Sequence, residues 1–468
     1  MTRPVLALLA FACFLGCQEA DVEIVGSCVP VGEATRLAGP GSGILRGLGL
    51  LDGQVLLVRA FVVDPADESS DILYEAQWFD SELSAMGDPI PLGSGRPVAR
   101  SEITRVGDEL VGVFLVDPSG AIPAGPEQHY VGLWHFAPGR APERTPVDLP
   151  FGRLECPSCR YYVLGIGGLG LAAGREGALP ITPNGAAVLS GIGPGCVGDG
   201  ANLFRLLTFD ATRAAAVDWR EMACDPSGGD GLPQIVRTRE GYGVLFRQND
   251  LVERDIGDLN IYPVYYVAVD ERFELREGPV RVGEAFEHPW GIYSGYQPKA
   301  ASLGAGERLI FNEMTELRYR CQILRMLDSD GSNARRSPWQ LPCLREPTQF
   351  HTTSSDLVEM PDGMALVVWG ERDAQGGDLG GYAPVEDRSR FNEGIHLALI
   401  TPDGRRGSDV VRVTDADATV LPEWDRPVPR DFLVHVAVDG WDVLVGWQDT
   451  RTSAPGFYVR KLRCGVEP

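Results

Sequence analysis

Beyond its first 17 residues, the sequence lacks any run that approaches 18 uninterrupted apolar residues. A membrane-spanning helix needs about 20 such residues, so no transmembrane helix is predicted there. Basic residues are also few: 42 Lys and Arg against 65 Asp and Glu give a formal net charge of −23, and Lys299 and Lys461 are the only lysines. The acidity opposes binding to nucleic acid or bare anionic lipid. We interpret the scarcity of lysine as codon bias in a GC-rich genome.

Short catalytic motifs are missing as well. The sequence has no G-x-S-x-G, no H-E-x-x-H and no phosphate-binding G-x-x-x-x-G-K, and none of its six histidines pairs with another at metal-ligand spacing. These absences remove the common hydrolase and nucleotide-binding signatures. Catalytic residues can still converge from separate strands, so the sequence favours a binding protein over an enzyme without deciding between them.

The N-terminus carries an export signal. Arg3 supplies a positive charge, and the apolar run from Pro4 to Gly16 has the length of a signal peptide core. The run ends in Phe14-Leu15-Gly16-Cys17, which resembles the lipobox of bacterial lipoproteins. The resemblance implies a lipid-modified Cys17 that anchors the chain to the membrane. Gln18 follows where an inner-membrane retention signal has Asp, so the outer membrane of a Gram-negative bacterium is expected, with the protein facing the periplasm or the cell surface.

The lipoprotein interpretation divides the chain into a signal peptide (residues 1–17), a tether (18–27) and one folded domain (28–468). An ordinary signal peptide that is cleaved nearby is the alternative, with Cys17 incidental. Eight cysteines fall within the folded domain, and an even number suits disulfide bonds in an oxidising compartment.

The folded domain repeats a strand–turn–strand unit. Seven short apolar runs each follow a turn glycine, and no convincing helical pattern separates them. The runs are Val55 to Phe61, Leu110 to Phe114, Ala186 to Leu189, Gly243 to Phe246, Leu309 to Phe311, Leu366 to Trp369 and Val443 to Trp447. A second strand-like segment follows each run: Ile72–Phe79, His129–Phe136, Asn202–Phe209, Val264–Val269, Arg320–Leu327, Ile395–Ile400 and Phe457–Leu462.

Seven such units, roughly 50–80 residues apart, suit the four-stranded blades of a β-propeller. The segment Trp447-Gln448-Asp449-Thr450-Arg451 resembles the Trp-x-Asp-x-Arg repeats of secreted bacterial β-propellers. That resemblance implies a fold and no particular activity. The predicted fold class is therefore all-β, as a single propeller of seven four-stranded blades. Two β-sandwich domains are the alternative.

The cysteines suggest how such a ring closes. The last unit lacks a fourth strand, which Val29 to Leu37 can supply, and a Cys28–Cys464 disulfide would then join the two ends of the domain. Closing so long a loop should stabilise the fold by about 4–5 kcal/mol. The remaining predicted pairs are Cys196–Cys224, Cys321–Cys343 and Cys156–Cys159. For the last pair, a structural disulfide is favoured over a redox motif or a zinc site.

Four further motifs have simpler explanations. Gly165–Gly170 satisfies G-x-G-x-x-G, but Gly174, Gly177 and Pro180 break the helix that a dinucleotide site requires, so we interpret it as flexible glycine backbone. The run from Asp328 to Asn333 predicts a hairpin turn instead of a calcium loop. No cofactor is predicted, although the acidic stretches Asp64–Asp71 and Asp250–Asp258 leave weak calcium binding open. Acids that follow the repeat aromatic are expected to be structural: Asp64, Asp117, Glu313, Glu371 and Asp449.

A binding site is predicted where the longest inserts meet. In propeller topology the inserts Gly283–Lys299, Glu371–Gly394 and Thr414–Asp431 share one face. The candidate ligand-binding residues are Trp290, Tyr293, Tyr296, Tyr382, Arg388 and Trp424. Such side chains suit a glycan or a peptide, by stacking and hydrogen bonds, unless they only pack their own loops. A hydrolase of glycosidic or ester bonds and a scaffold for an envelope protein are the alternatives. The Ser-x-Asp-x-Gly-x-Thr-Trp box that exported propeller sialidases repeat is absent.

Overall fold

The computed structural model describes somewhat more than half of the chain, and about three quarters of that part is β-strand. The described residues are 25–38, 44–62, 72–95, 103–115, 131–146, 169–173, 184–192, 202–210, 220–225, 234–247, 250–252, 259–261, 263–271, 274–283, 287–288, 298–314, 322–341, 350–373, 393–415, 434–449 and 456–466. Two single 3-10 turns, Gly304–Gly306 and Pro361–Gly363, accompany the strands. Within these ranges no helix is long and apolar enough to cross a membrane.

Strand β1 (Gly26–Ala38) opens the described chain, and the next three sheets are built from consecutive strands. Sheet 1 contains β2 (Ile44–Leu51), β3 (Gln54–Val62), β4 (Ile72–Phe79) and β5 (Ile90–Gly95). Sheet 2 contains β6 (Ile103–Val106), β7 (Glu109–Leu115), β8 (Val131–Phe136) and β9 (Glu143–Pro146). Sheet 3 contains β10 (Leu169–Ala173), β11 (Asn184–Ile192), β12 (Asn202–Asp210) and β13 (Arg220–Asp225).

Sheet 4 departs from this order, because a small separate sheet interrupts it. Sheet 4 contains β14 (Gln234–Thr238), β15 (Gly241–Arg247), β18 (Val264–Asp270) and β19 (Leu275–Arg281). A three-stranded sheet, here the minor sheet, contains β16 (Asp250–Val252), β17 (Leu259–Ile261) and β20 (Glu287–His288). Sheet 5 contains β21 (Ala300–Leu303), β22 (Arg308–Met314), β23 (Gln322–Asp328) and β24 (Arg335–Arg336).

The last two sheets complete the order, and the final one takes in β1. Sheet 6 contains β25 (Phe350–Glu359), β26 (Ala365–Asp373), β27 (Glu393–Ile400) and β28 (Val411–Arg412). Sheet 7 contains β29 (Val434–Asp439), β30 (Asp442–Asp449), β31 (Gly456–Val466) and β1 at its outer edge. All pairs within these sheets are antiparallel, so the described residues form seven four-stranded antiparallel sheets with a propeller-like arrangement.

Two-residue hairpins join the first two strands of sheets 1, 2, 4 and 7. In sheet 1, Leu51 pairs with Gln54 across Asp52-Gly53, and both turn residues have positive φ (50° and 78°). A two-residue turn with left-handed residues matches the twist of the flanking strands. The predicted turn glycines therefore mark the ends of first strands, as Gly107 and Gly440 also do.

The first strands lie side by side in the middle of the molecule. In chain order β2, β6, β10, β14, β21, β25 and β29 each contact the next, and β29 also contacts β2. The hydrophobic core lies between neighbouring sheets: Leu303 and Val367 belong to one cluster between sheets 5 and 6. Leu57 and Val459 belong to another, between sheets 1 and 7. Sheets 1, 5, 6 and 7 thus each bury both faces against their neighbours.

Two faces of the molecule follow from the strand directions. We call the side on which the first strands begin the upper face, and the side of the hairpins between first and second strands the lower face. Because the strands alternate in direction, the second strand ends and the third strand begins at the upper face. The fourth strand also ends there before the chain enters the next sheet.

Strand β1 confirms the predicted N-terminal outer strand. It pairs with β31 from Gly26↔Val466 to Ala38↔Phe457, and Cys28 lies directly opposite Cys464. The two cysteines form the predicted disulfide. The backbone N–H groups of Val25 and Gly26 both donate to the carbonyl oxygen of Gly407, at 3.1 and 3.0 Å. The N-terminal strand therefore enters at the lower face.

The other cysteine predictions stay predictions. Cys224 lies in β13, whereas Cys17, Cys156, Cys159, Cys196, Cys321 and Cys343 lie outside the described residues. Gly165–Gly168 lie outside the described residues, and the last two residues of the motif belong to sheet 3. Gly170 lies inside β10 and pairs with Val188, so the motif leads into a strand and not into a helix.

Candidate functional site

Three long connections leave and return at the upper face. Residues 282–299 connect β19 to β21, residues 374–392 connect β26 to β27, and residues 413–433 connect β28 to β29. The first and third connections join a fourth strand to the next first strand, and the second joins a second strand to a third. The six predicted ligand-binding residues lie within these connections and outside the described residues: Trp290, Tyr293, Tyr296, Tyr382, Arg388 and Trp424.

The minor sheet is an addition to the upper face that sequence reasoning missed. Strand β16 pairs with β17, with Leu251 opposite Asn260, and β17 pairs with β20, with Asn260 opposite His288. The acidic stretch Asp250–Asp258 therefore begins with a strand of three residues. A signal was present in the sequence: Gly257 lies between the short apolar stretches Leu251-Val252 and Leu259–Ile261. The minor sheet ends two residues before Trp290.

A central channel runs between the first strands. It encloses about 260 Å³ and is lined by residues of β2, β6, β14, β21, β25 and β29. Leu48, Ile103, Ile235, Leu357 and Val436 give it an apolar wall. Pockets for drug-sized ligands are about 300–1,000 Å³, so the volume of this channel lies near the lower end of that range.

Three buried polar side chains lie at the same height in the channel wall. Gln234, Asp356 and His435 lie on the first strands of sheets 4, 6 and 7. Each pairs with the second-strand residue that comes directly before the repeat aromatic, which is Phe246, Trp369 or Trp447. All three are less than 10% exposed. The channel therefore combines an apolar wall with one polar level contributed by sheets 4, 6 and 7.

Both lysines join neighbouring sheets. The Lys299 ammonium donates to the Gln234 amide oxygen at 3.2 Å, and its backbone N–H donates to Asn312 Oδ1 at 2.6 Å. Lys299 is 1% exposed. The Lys461 ammonium donates to the carbonyl oxygens of Gly53 (3.4 Å) and Ser81. Partial burial lowers the pKa of Lys461 below its ordinary value.

Ion pairs connect the sheets at the lower end of the channel. Arg105 pairs with Asp439, and its guanidinium also lies 3.4 Å from Asp52 Oδ1. The backbone N–H of Asp52 donates to Asp439 Oδ2 at 2.7 Å. These three residues belong to sheets 2, 7 and 1, so the network stabilises the junction of the last sheet with the first two.

The acids that follow the repeat aromatics have structural partners where they are described. Glu313 and Arg325 form an ion pair with both side chains buried. Asp449, 1% exposed, accepts a hydrogen bond from Trp447 Nε1 at 3.4 Å. Both contacts support the structural interpretation of these acids. Asp64 and Asp117 lie outside the described residues, and for Glu371 only the backbone is described.

The described residues offer little for a metal. Among them, no group of three or more His, Cys, Asp or Glu side chains is arranged to hold a metal ion. The run from Asp328 forms the predicted hairpin turn, with Asn333 Nδ2 donating to Asp328 Oδ2 at 2.6 Å and the Ser332 N–H to Asp330 Oδ1 at 2.8 Å. Hydrogen bonds from Ser332 lower the pKa of Asp330. The turn itself thus uses the carboxylates that a calcium loop would need.

Comparison with known proteins gives no family. No family model matches the chain, and no curated protein sequence matches it. Among solved structures it is similar to polysaccharide lyase Uly1 (7% identity, TM-score 0.43, covering 95% of this chain and 99% of the other). It is also similar to phage phi92 endosialidase (11%, 0.40, 95% and 70%) and to Trypanosoma rangeli sialidase (10%, 0.35, 94% and 58%). With TM-scores below 0.5, these likenesses carry no argument about activity.

Proposed function

We propose that this chain is an exported lipoprotein of the outer membrane, and that its seven sheets form a closed β-propeller that binds a glycan on the upper face. The observation that carries the proposal is the common position of three long connections rich in aromatic and charged residues. Loops over a rigid scaffold are the usual place for a binding surface.

Ring closure is supported by two features. The first strands contact one another in an unbroken cycle, since β29 touches both β25 and β2. Strand β1 supplies the outer edge of sheet 7, and the Cys28–Cys464 disulfide fastens it. A closed ring of seven four-stranded blades explains both features with one architecture.

The orientation follows from the anchor. Ten residues, Gln18 to Ser27, separate Cys17 from Cys28, which is at most about 35 Å when extended. Hydrogen bonds from Val25 and Gly26 to Gly407 fix the start of β1 at the lower face. A lipid on Cys17 would therefore hold the lower face towards the membrane and leave the upper face accessible.

The chemistry of the connections suits an extended polar ligand. Trp290, Tyr293, Tyr296 and Trp424 would stack on sugar rings, because aromatic faces bind apolar ring surfaces. Tyr382 and Arg388 would supply hydrogen bonds to hydroxyl or acidic groups, and the minor sheet supports the chain next to Trp290. The glycan would lie across the upper face, where the three connections begin and end.

Ligand binding is tested by removing the aromatics. Trp290→Ala and Trp424→Ala should weaken retention on a glycan array at least about tenfold, equivalent to about 1.4 kcal/mol each. Trp441→Ala is the matched control, because Trp441 lies in a hairpin of the lower face. Unchanged array and envelope pull-down profiles in both test variants would contradict a glycan site. Release of reducing sugars from a bound glycan would point instead to the hydrolase alternative.

Anchoring is tested at the lipobox. Cys17→Ser should abolish metabolic labelling with a fatty acid and release the protein from the membrane fraction. Cys13→Ser is the matched control, since Cys13 lies inside the apolar run and should not carry lipid. Labelling that persists in Cys17→Ser would contradict the lipoprotein assignment.

A further inference from the structure

The Cys28–Cys464 disulfide joins the first and the last cysteine of the predicted folded domain. The two cysteines are 436 positions apart. Six other cysteines lie between them in the sequence: Cys156, Cys159, Cys196, Cys224, Cys321 and Cys343. In the sheet order β1 has a single neighbour, β31. Cys28 therefore reaches its native place only after every other cysteine has been synthesised and β31 has formed.

Before that moment, Cys28 faces closer competitors. Under the proposed export, Cys28 enters the oxidising compartment ahead of all seven other cysteines of the folded domain. The probability of loop closure falls as roughly the three-halves power of loop length, so Cys28 meets Cys156 about six times more often than Cys464 in an unfolded chain. Oxidation during export should therefore join Cys28 to an intervening cysteine.

Such an error has to be corrected before the ring closes. In the folded state Cys28 and Cys464 are only 4% and 3% exposed. Thiol–disulfide exchange needs an attacking thiolate to reach a sulfur atom, so the buried native bond does not exchange. A mispaired Cys28 also keeps β1 away from β31, because the ladder requires Cys28 opposite Cys464.

We propose that this chain is a substrate of a disulfide isomerase, and that Cys28 is the cysteine whose mispairing the isomerase corrects. The inference rests on the proposed export. A disulfide-bonded dithiol oxidase forms the first bonds, and it is reduced to the dithiol as two cysteine thiols become one disulfide. The isomerase thiolate then attacks a non-native disulfide of Cys28, and a mixed disulfide forms as one cysteine leaves as thiolate.

The released thiolates attack in turn until Cys28 is joined to Cys464 and the isomerase is regenerated. Each exchange breaks one S–S bond and forms another, and the proton passes from the attacking thiol to the leaving thiolate. No further oxidant is consumed.

The test expresses the full chain in a Gram-negative host and in the same host without its periplasmic disulfide isomerase. Non-reducing peptide mapping then measures the fraction of Cys28 joined to Cys464. We expect this fraction to fall about threefold or more without the isomerase, with Cys28 linked mainly to Cys156 or Cys159, the nearest thiols. A Cys156→Ser/Cys159→Ser variant should raise the fraction of the native pair in the deficient host about twofold, because Cys196 and Cys224 remain as closer competitors.

The outcomes separate this inference from the export on which it rests. An equal fraction of the native pair in both hosts would overturn the isomerase requirement and leave export standing. Free thiols at Cys28 and Cys464 in both hosts would overturn export into an oxidising compartment. The comparison of the two hosts uses the unaltered chain, so it remains decisive if the double variant fails to fold.

Discussion

At the residue scale, the two lysines of an arginine-rich chain occupy similar positions. Lys299 and Lys461 both place an ammonium against carbonyl oxygens of a neighbouring sheet. An ammonium is a compact point charge, whereas a guanidinium is wider and planar. We therefore expect arginine to fit less well than lysine at these two positions.

Lys299→Arg should therefore destabilise the fold, because the larger planar group has to fit a site that is 1% exposed. We expect a loss of about 1–3 kcal/mol in the free energy of unfolding, as for overpacked interiors, measured by urea titration. Lys461→Arg is the control at a more exposed position, with an expected change below about 1 kcal/mol. Equal effects of the two substitutions would contradict a fit specific to Lys299.

Gly331 packs closely against the ring of Tyr266. The Tyr266 hydroxyl donates to the Ser329 carbonyl oxygen at 2.6 Å, and a Cβ at position 331 would lie 2.7 Å from Tyr266 Cδ1. Gly331 also has a φ of 86°, which disfavours any side chain. Gly331→Ala should cost about 2–4 kcal/mol, combining backbone strain with overpacking.

Gly139 provides the matched control for that prediction. Its φ of 72° is similar, but a Cβ there would meet nothing within 4 Å. Gly139→Ala should cost about 1 kcal/mol, from backbone conformation alone. The difference between the two variants in thermal or urea unfolding measures the Tyr266 contact, and the absence of a difference would argue against it.

At the scale of the element, the second and third strands carry a repeated cross-strand ring pair. Trp369 lies opposite His396 and Trp447 opposite Tyr458, with ring centroids 5.9 and 6.0 Å apart and stacked. Phe246 and Tyr265 form the equivalent pair in sheet 4, at 6.0 Å. Cross-strand pairs stabilise sheets directly, so the repeat visible in the sequence corresponds to one packing contact used several times.

The ion pair of Glu313 and Arg325 makes sheet 5 sensitive to a small change. Glu313→Gln removes the charge and leaves the Arg325 guanidinium buried without its carboxylate, which typically costs about 3–5 kcal/mol. The control is Glu75→Gln in sheet 1, whose pair with Arg59 is partly exposed. There we expect about 1 kcal/mol or less. Urea unfolding of both variants measures the two losses in the free energy of unfolding. A larger loss for Glu75→Gln than for Glu313→Gln would contradict this prediction.

Local patterns explain which strands could be predicted. The predicted strand Ile72–Phe79 coincides with β4, and Val264–Val269 differs from β18 by one residue, because alternating apolar residues end at turn residues. The minor sheet was missed because β16 and β17 have three residues each, too few for periodicity. The contact of Lys299 with Gln234 was equally invisible, because it joins residues that only the packing of two sheets brings together.

At the scale of the whole molecule, contacts at three distances from the channel stabilise the junction of sheet 7 with sheet 1. The Arg105–Asp439–Asp52 network lies at the channel, Lys461 lies farther out, and the Cys28–Cys464 disulfide joins the two outermost strands. Sequence reasoning found the outermost contact because cysteine positions can be compared directly. The inner contacts join residues far apart in the sequence, which only the packing of sheets 1, 2 and 7 brings together.

The outermost contact should control how easily β1 separates from β31. In a Cys28→Ser/Cys464→Ser variant, the free energy of unfolding should fall by up to about 4–5 kcal/mol, since the unfolded chain loses its longest constraint. Amide hydrogen exchange should rise across Gly26–Ala38, the only strand that is held by β31 alone in the sheet order. Sheets 1, 2 and 4–6 should keep their protection, because their strands pair without β1. Uniformly faster exchange in every sheet would instead mean that β1 holds the whole ring together and that sheet 7 does not open locally.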